Sequence, residues 1–264
     1  MKLSLSVLTI VFIFLFAIYI YQGNLIYFPG KRAPTAEETR VPELQTIALH
    51  TDDGLTLTAW YSPPSLPNMP TLVYLHGNSG HIGHRSKSIN FYLNNGFGVL
   101  FLAYRGFSGN PGTPSEKGLY EDARAAIRFL FTKSVPNSCL VLLGESLGTA
   151  VAIQMATEYN VGALILQSPF TSLSDVGKYI YPHLPIKWLL QDKYESFTKI
   201  HRIHCPVLVI LAGNDKTIPL QISQKLYDAI TAPKKLIISP NKEHNALNES
   251  GAIVQFMHEN VHCM

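Results

Sequence analysis

Six uninterrupted apolar runs constrain this chain more than any other feature: TLVYLHG, GVLFLAYRG, CLVLLGE, GALILQS, PVLVILAG and KKLIISP, each closed by turn residues. A strand covered on both faces has no polar side to alternate with, so a continuous apolar run reads as the interior of a parallel sheet. Helical patterns fall between and after the runs, at 83–95, 116–134, 147–159, 219–230 and 250–262. The second is expected to open on a capping box, with Thr113 as cap, Pro114 at the first helical position and Glu116 three residues after the cap. Ahead of the runs, LQTIALHT and LTLTAWYS flank Asp52-Asp53-Gly54, a hairpin signal. A hairpin followed by strand–helix alternation predicts an α/β architecture: a mostly parallel eight-stranded sheet with helices on both faces. Residues 171–200 interrupt the alternation and are too long for a simple crossover. They predict a short cap above the C-terminal strand ends, where such sheets bind ligands. Tyr179, Tyr181, Trp188 and Leu189 on that insert are expected to line a substrate pocket.

The N-terminus is of another kind. Residues 3–21 hold 16 apolar residues out of 19, and no charge appears between Lys2 and Lys31. As a helix the run would rise about 28 Å, close to the roughly 30 Å of bilayer hydrocarbon. A cleaved signal would end in a small-x-small site, but Leu15 and Tyr21 stand two positions before Ala17 and Gly23. The expectation is a transmembrane anchor over 1–22 that meets the lipid bilayer through residues 3–21, a juxtamembrane linker over 23–43, and a catalytic domain over 44–264. Tyr19, Tyr21, Tyr27 and Phe28 read as an interfacial aromatic belt, and the domain is expected on the exported side. A chain that is 47% apolar is not disordered, and scattered charges summing to +3 exclude a nucleic-acid surface. Cys139, Cys205 and Cys263 are expected to be inert thiols, with no disulfide framework.

The chemistry concentrates in Gly144-Glu145-Ser146-Leu147-Gly148, which follows CLVLL and precedes a helical pattern. This strand–turn–helix context raises a serine hydroxyl above the sheet edge and leaves the Leu147 amide facing an oxyanion. A serine hydroxyl needs a base. His244 sits in the loop after the final strand, where that base is required. His50, His76, His81 and His84 come too early in the chain, and His183 is on the insert. His201 and His204 precede a strand, and His258 and His262 fall on the last helix. The acid that orients the base should also follow a strand. Asp215 is the first choice, its alternative role being an Asx turn, and Asp175 is the fallback. The order Ser146, Asp215, His244 is that of α/β hydrolases. The second oxyanion donor is expected from His76-Gly77-Asn78, as the backbone N–H of Asn78. His76, His81 and His84, or His201, His204 and Cys205, lack the spacing of a zinc site. Neither a metal nor a cofactor is expected.

Over residues 44–264 the chain resembles the α/β-hydrolase superfamily. The string from Tyr104 to Glu116, YRGFSGNPGTPSE, resembles the YRGYGxSxGxPSE signature of small membrane-anchored hydrolases of the bud-emergence type, grouped with serine aminopeptidase-like domains. Its departures from that signature include Phe107 and Asn110. The HGN, GESLG, AGNDKTIP and EHN strings fit the same branch. The resemblance extends to abhydrolase-domain proteins that remove palmitate from cysteines, which implies an ester or thioester substrate, either a small molecule or an acylated protein. A serine aminopeptidase with the same triad and a non-catalytic membrane scaffold are the alternatives.

Overall fold

The computed structural model describes residues 5–39 and 41–263. Residues 1–4 of the expected anchor, Arg40 of the expected linker and Met264 lie outside the described residues. The eight main strands are β1 (Gln45–His50), β2 (Thr56–Ser62), β3 (Thr71–Leu75), β4 (Gly98–Leu102), β5 (Leu140–Glu145), β6 (Ala163–Gln167), β7 (Val207–Ala212) and β8 (Lys234–Ser239). They form one sheet in the order β8-β7-β6-β5-β3-β4-β2-β1. Strand β2 alone runs against the others, pairing antiparallel with both β1 and β4. The hairpin pairs Gln45 with Tyr61 and His50 with Thr56, and Gly54 takes the positive φ its turn requires.

Helices follow from the need to cover both faces. The longer ones are α1 (Leu5–Ile26), α2 (Ser86–Asn94), α3 (Glu116–Thr132), α4 (Leu147–Glu158), α5 (Leu173–Ile180), α6 (Leu220–Asp228) and α7 (Ser250–Asn260). On one face α3, α4 and α6 bury Leu119, Ile127, Val151 and Leu226 against Val73, Leu75, Leu142 and Val209. On the other, α2 and α7 bury Ile89, Tyr92, Ile253 and Phe256 against Leu72, Tyr74, Val141 and Ile210. The alternation of strand side chains between these two cores is the period of two expected of a strand.

Three local expectations are corrected. Helix α3 starts at Glu116, and Ser115, not Thr113, caps it by accepting the Gly118 N–H. Glu116 does not close a capping box. Its carboxylate instead accepts the amides of Lys193 and Tyr194, clamping the end of the insert onto the start of α3. Cys139 and Cys263 are bonded, with Cα atoms 5.4 Å apart, so they are not free thiols. The pair forms because the chain returns past α7 to the foot of β5, a proximity that a separation of 124 residues conceals. Cys205 stays a thiol, and burial pushes its pKa up to about 12.

Helix α1 projects from the domain with its apolar side chains exposed. It is the one helix among the described residues long and apolar enough to cross a membrane. The chain after it does not hang free. Ile26 and Tyr27 are buried, and Phe28 and Pro29 pair in parallel with Ser79 and Gly80. The Tyr27 hydroxyl lies 2.7 Å from Asp192 Oδ2 and 2.8 Å from the Tyr194 hydroxyl. Gly30 O accepts the Ser108 N–H.

The 104–116 string acts as a staple for these parts. The Arg105 guanidinium bridges Asp53 in the β1–β2 turn, at 2.6 Å, and buried Asp122 on α3, at 2.8 Å. Asn110 accepts the Thr58 N–H and donates to the Thr58 and Ala103 carbonyls. Replacing it leaves buried backbone groups unpaired. Asn110→Ala is therefore expected to lower stability by about 2 kcal/mol, read as a lower urea midpoint at unchanged slope.

Candidate active site

Strand β5 ends at Glu145 and α4 begins at Leu147, so Ser146 alone makes the turn, at φ 52° and ψ −116°. This is a costly conformation for a residue with a side chain, held by its surroundings. A Cβ on Gly144 would lie 2.5 Å from the Gly148 oxygen, and one on Gly148 would run into the Leu75 carbonyl. The two glycines let α4 sit against β3 and β5. The Ser146 N–H donates to Gln167 O at 2.9 Å, tying the turn to β6.

Three side chains from three loops meet there. Ser146 Oγ lies 2.9 Å from His244 Nε2, and His244 Nδ1 lies 2.7 Å from Asp215 Oδ2. Asp215 also accepts the Thr217 and Ile218 amides on Oδ1, at 2.9 and 2.8 Å. One oxygen makes the Asx turn, and the other faces the imidazole. Burial alone would raise its carboxyl, but the His244 hydrogen bond and the turn amides outweigh that and hold it below the ordinary carboxylate range. Asp175, the fallback, is exposed on α5 beside Thr171 and Ser172. His76 is buried against Tyr104 and Phe107, and its Nδ1 lies 2.7 Å from the Gly77 carbonyl. Burial, with Arg85 adding to it, pushes its pKa down to about 3, which fits a neutral packing residue.

The loop after β3 abuts the serine: a Cβ on Gly77 would lie 3.4 Å from Ser146 Cβ. Leu147 opens α4, so its amide is among the unpaired donors of a helix start. The Asn78 side chain has a job absent from the sequence reading. Its Nδ2 donates to Ile26 O at 2.7 Å, while the Asn78 backbone carbonyl accepts the Phe28 N–H at 2.8 Å. The end of α1 thereby fixes this loop.

A cavity of about 340 Å³ opens at Ser146 and His244. Its walls are polar, with Tyr74, His84, Arg85 and Glu145 prominent. Glu145 accepts two hydrogen bonds from Arg85, at 3.2 and 2.8 Å, and one from the Tyr74 hydroxyl at 2.9 Å. The expected lining residues are elsewhere. Tyr179, Tyr181 and Trp188 are exposed, and Leu189 is buried beside α1, where its carbonyl accepts from Gln22. The insert packs beside α1, and α2 and the 244–250 loop line the cavity instead. Arg85 and Glu145 escaped the sequence reading because no local pattern joins residues 60 positions apart.

Comparison with known proteins bears on family and fold. Residues 67–196 match the family described as serine aminopeptidase, S33. The protein bem46 of Schizosaccharomyces pombe is 31% identical over 263 residues, covering 92% of this chain and 86% of that one. The chain belongs to the serine aminopeptidase S33 family of α/β hydrolases. Protein Rv2307c of Mycobacterium tuberculosis is similar at 40% identity over 230 residues, 86% of this hydrolase and 82% of its relative. The lysophosphatidylserine lipase ABHD12 of Danio rerio is 27% identical, covering 81% and 68%. Among solved structures, Pyrococcus furiosus esterase Pf2001 shares the fold with a TM-score of 0.71 at 17% identity, covering 88% of this hydrolase and 99% of that chain.

The Glu145 carboxyl would be raised by burial, but Arg85 and Tyr74 hold it below its usual value. A carboxyl with a lowered folded-state pKa stabilises the fold above its unfolded value of about 4.3 and loses that contribution as pH falls through the folded one. Glu145→Gln is expected to cost about 3 kcal/mol at neutral pH by stranding the Arg85 charge. Its stability should also fall less than that of the wild type between neutral pH and about pH 3. Urea titrations at the two pH values measure both effects.

Proposed function

We propose that this protein is a membrane-anchored serine hydrolase that cleaves carboxylic esters or thioesters through an acyl-enzyme. The observation that carries the reading is the unbroken chain from Ser146 Oγ through the His244 imidazole to Asp215, at 2.9 and 2.7 Å, set at a strained strand–helix turn. In this reading Ser146 attacks the acyl carbonyl as His244 Nε2 takes its proton. Asp215 holds the proton on Nδ1 and stabilises the imidazolium, and His244 then protonates the leaving alcohol or thiol. Water, deprotonated by the same imidazole, releases the acid. The amides of Asn78 and Leu147 serve as oxyanion donors, each supplying about 3 kcal/mol at the transition state.

The carboxylates argue for esters over aminoacyl amides. An aminopeptidase needs a free acidic group for the substrate amine. Asp192 is occupied by Tyr27 and by the Glu116 amide, Asp175 sits on the outer face of the cap, and Glu145 is neutralised by Arg85. The relative named a lysophosphatidylserine lipase supports a lipid-borne ester. Helix α1 supports the anchor, and the Cys139–Cys263 pair supports placing the domain in an oxidising, exported compartment.

A fluorophosphonate probe is expected to label the wild type and to miss Ser146→Ala. His244→Ala should lower ester turnover by about 10⁴-fold or more. A folded wild type that resists the probe, or equal labelling of Ser146→Ala, overturns the serine mechanism. Faster cleavage of aminoacyl amides than of matched esters overturns the ester preference. Carbonate washing of membranes should leave the full chain in the pellet, and alkylation of the unfolded chain without reduction should modify one cysteine of three.

A further inference from the structure

We propose that the cap is a second membrane contact: Tyr179, Ile180, Tyr181 and Trp188 insert into the lipid interface beside α1. This rests on the reading of α1 as a bilayer anchor.

The depth of the cap relative to α1 carries the argument. Gln191 Nε2 donates to the Tyr19 carbonyl at 3.0 Å, and Gln22 Nε2 donates to the Leu189 carbonyl at 3.0 Å. Gln22 Oε1 in turn accepts the Gln191 N–H at 2.7 Å. The single helical turn Ile186–Leu189 and the residues after it are therefore locked alongside Tyr19–Gln22. Those residues are where the apolar run of α1 ends and its first polar residues begin. A bilayer that holds the apolar run meets water at that level, and the cap shares it.

The surface presented there is of the right kind. Residues 178–183 are exposed without a break, as are Lys187 and Trp188. Trp188 is 85% exposed, and Tyr179, Ile180 and Tyr181 are the exposed large side chains next to it in the cap. Helix α5 is two-sided, with Ser174 and Val176 buried and its C-terminal Tyr179 and Ile180 facing out. From 178 to 188 the sequence carries Lys178 and Lys187 and no carboxylate. Aromatic side chains prefer the headgroup level, and lysines beside them are drawn to anionic lipid. Neither the cavity at Ser146 nor the buried cores use these four side chains. The surface thus commits to one occupant, the interface of a bilayer containing anionic lipid.

The chain has two tryptophans, and Trp60 is buried in the domain at 5% exposure, so Trp188 is the natural reporter. Full-length protein is reconstituted in vesicles of equal parts phosphatidylcholine and phosphatidylglycerol, with or without bromine near the top of the acyl chains. The wild type is expected to lose about half its tryptophan emission in the brominated vesicles, and Trp188→Phe to lose little. Iodide added to the aqueous phase should quench the vesicle-bound wild type no more than Trp188→Phe. Protein that floats with the vesicles but keeps its full emission, with Trp188 open to iodide, overturns the docking and leaves the anchor intact. Protein that fails to float overturns the anchor and the docking together.

Discussion

Ser146 holds its turn only because Gly144 and Gly148 leave no side chain between β3, β5 and α4. The rest of the site depends on that close approach. With α4 pressed onto the sheet, the serine stands at the one edge to which every parallel strand delivers its C-terminal loop. The loop after β7 brings Asp215, the loop after β8 brings His244, and the loop after β3 lays Gly77 beside the serine. The sheet order places β5 between β3 and β6, so these loops converge without any needing to be long. A bulkier residue at either glycine would separate the helix from the sheet and the serine from its partners.

Several polar groups around this centre take their partners from distant parts of the chain. Arg105 joins the hairpin turn to α3, Asn110 ties the signature loop to β2, and Glu116 holds the end of the insert. Glu145, adjacent to the serine, is saturated by Arg85 and Tyr74. These contacts make the 104–116 string chiefly a device for holding the scaffold together, although it was the most recognisable stretch of the sequence. Its Asn110, where the signature has serine, reaches three backbone groups that a hydroxyl could not span together.

What the sequence made legible, and what it hid, divides along local and non-local lines. The strands, the hairpin and the late helices follow from periodicities carried within a few residues. The meeting of Ser146, Asp215 and His244 follows from strand order plus the rule that loops gather at one edge. The start of α3 misled because Thr113-Pro114 imitates a cap, while Ser115 is nearer the first free amides and Glu116 is drawn away by Lys193 and Tyr194. The cap aromatics misled for a related reason: their composition matches a pocket, but only packing decides which way an aromatic side chain faces. The Arg85–Glu145 and Cys139–Cys263 pairs have no local signature, being made by the return of the chain through the fold.

The pairing of Phe28 and Pro29 with Ser79 and Gly80 means that the leash between α1 and the hydrolase has no slack. A flexible tether would let the candidate site roam and tumble. Here the last turn of the helix, the Asn78 side chain and the loop beside the serine form one continuous hydrogen-bonded splint. Contacts with the rest of the domain accordingly begin by Gln22, well before Glu43. Trimming the chain back to the first strand of the sheet would remove a strut of the active-site loop along with the hydrophobic helix.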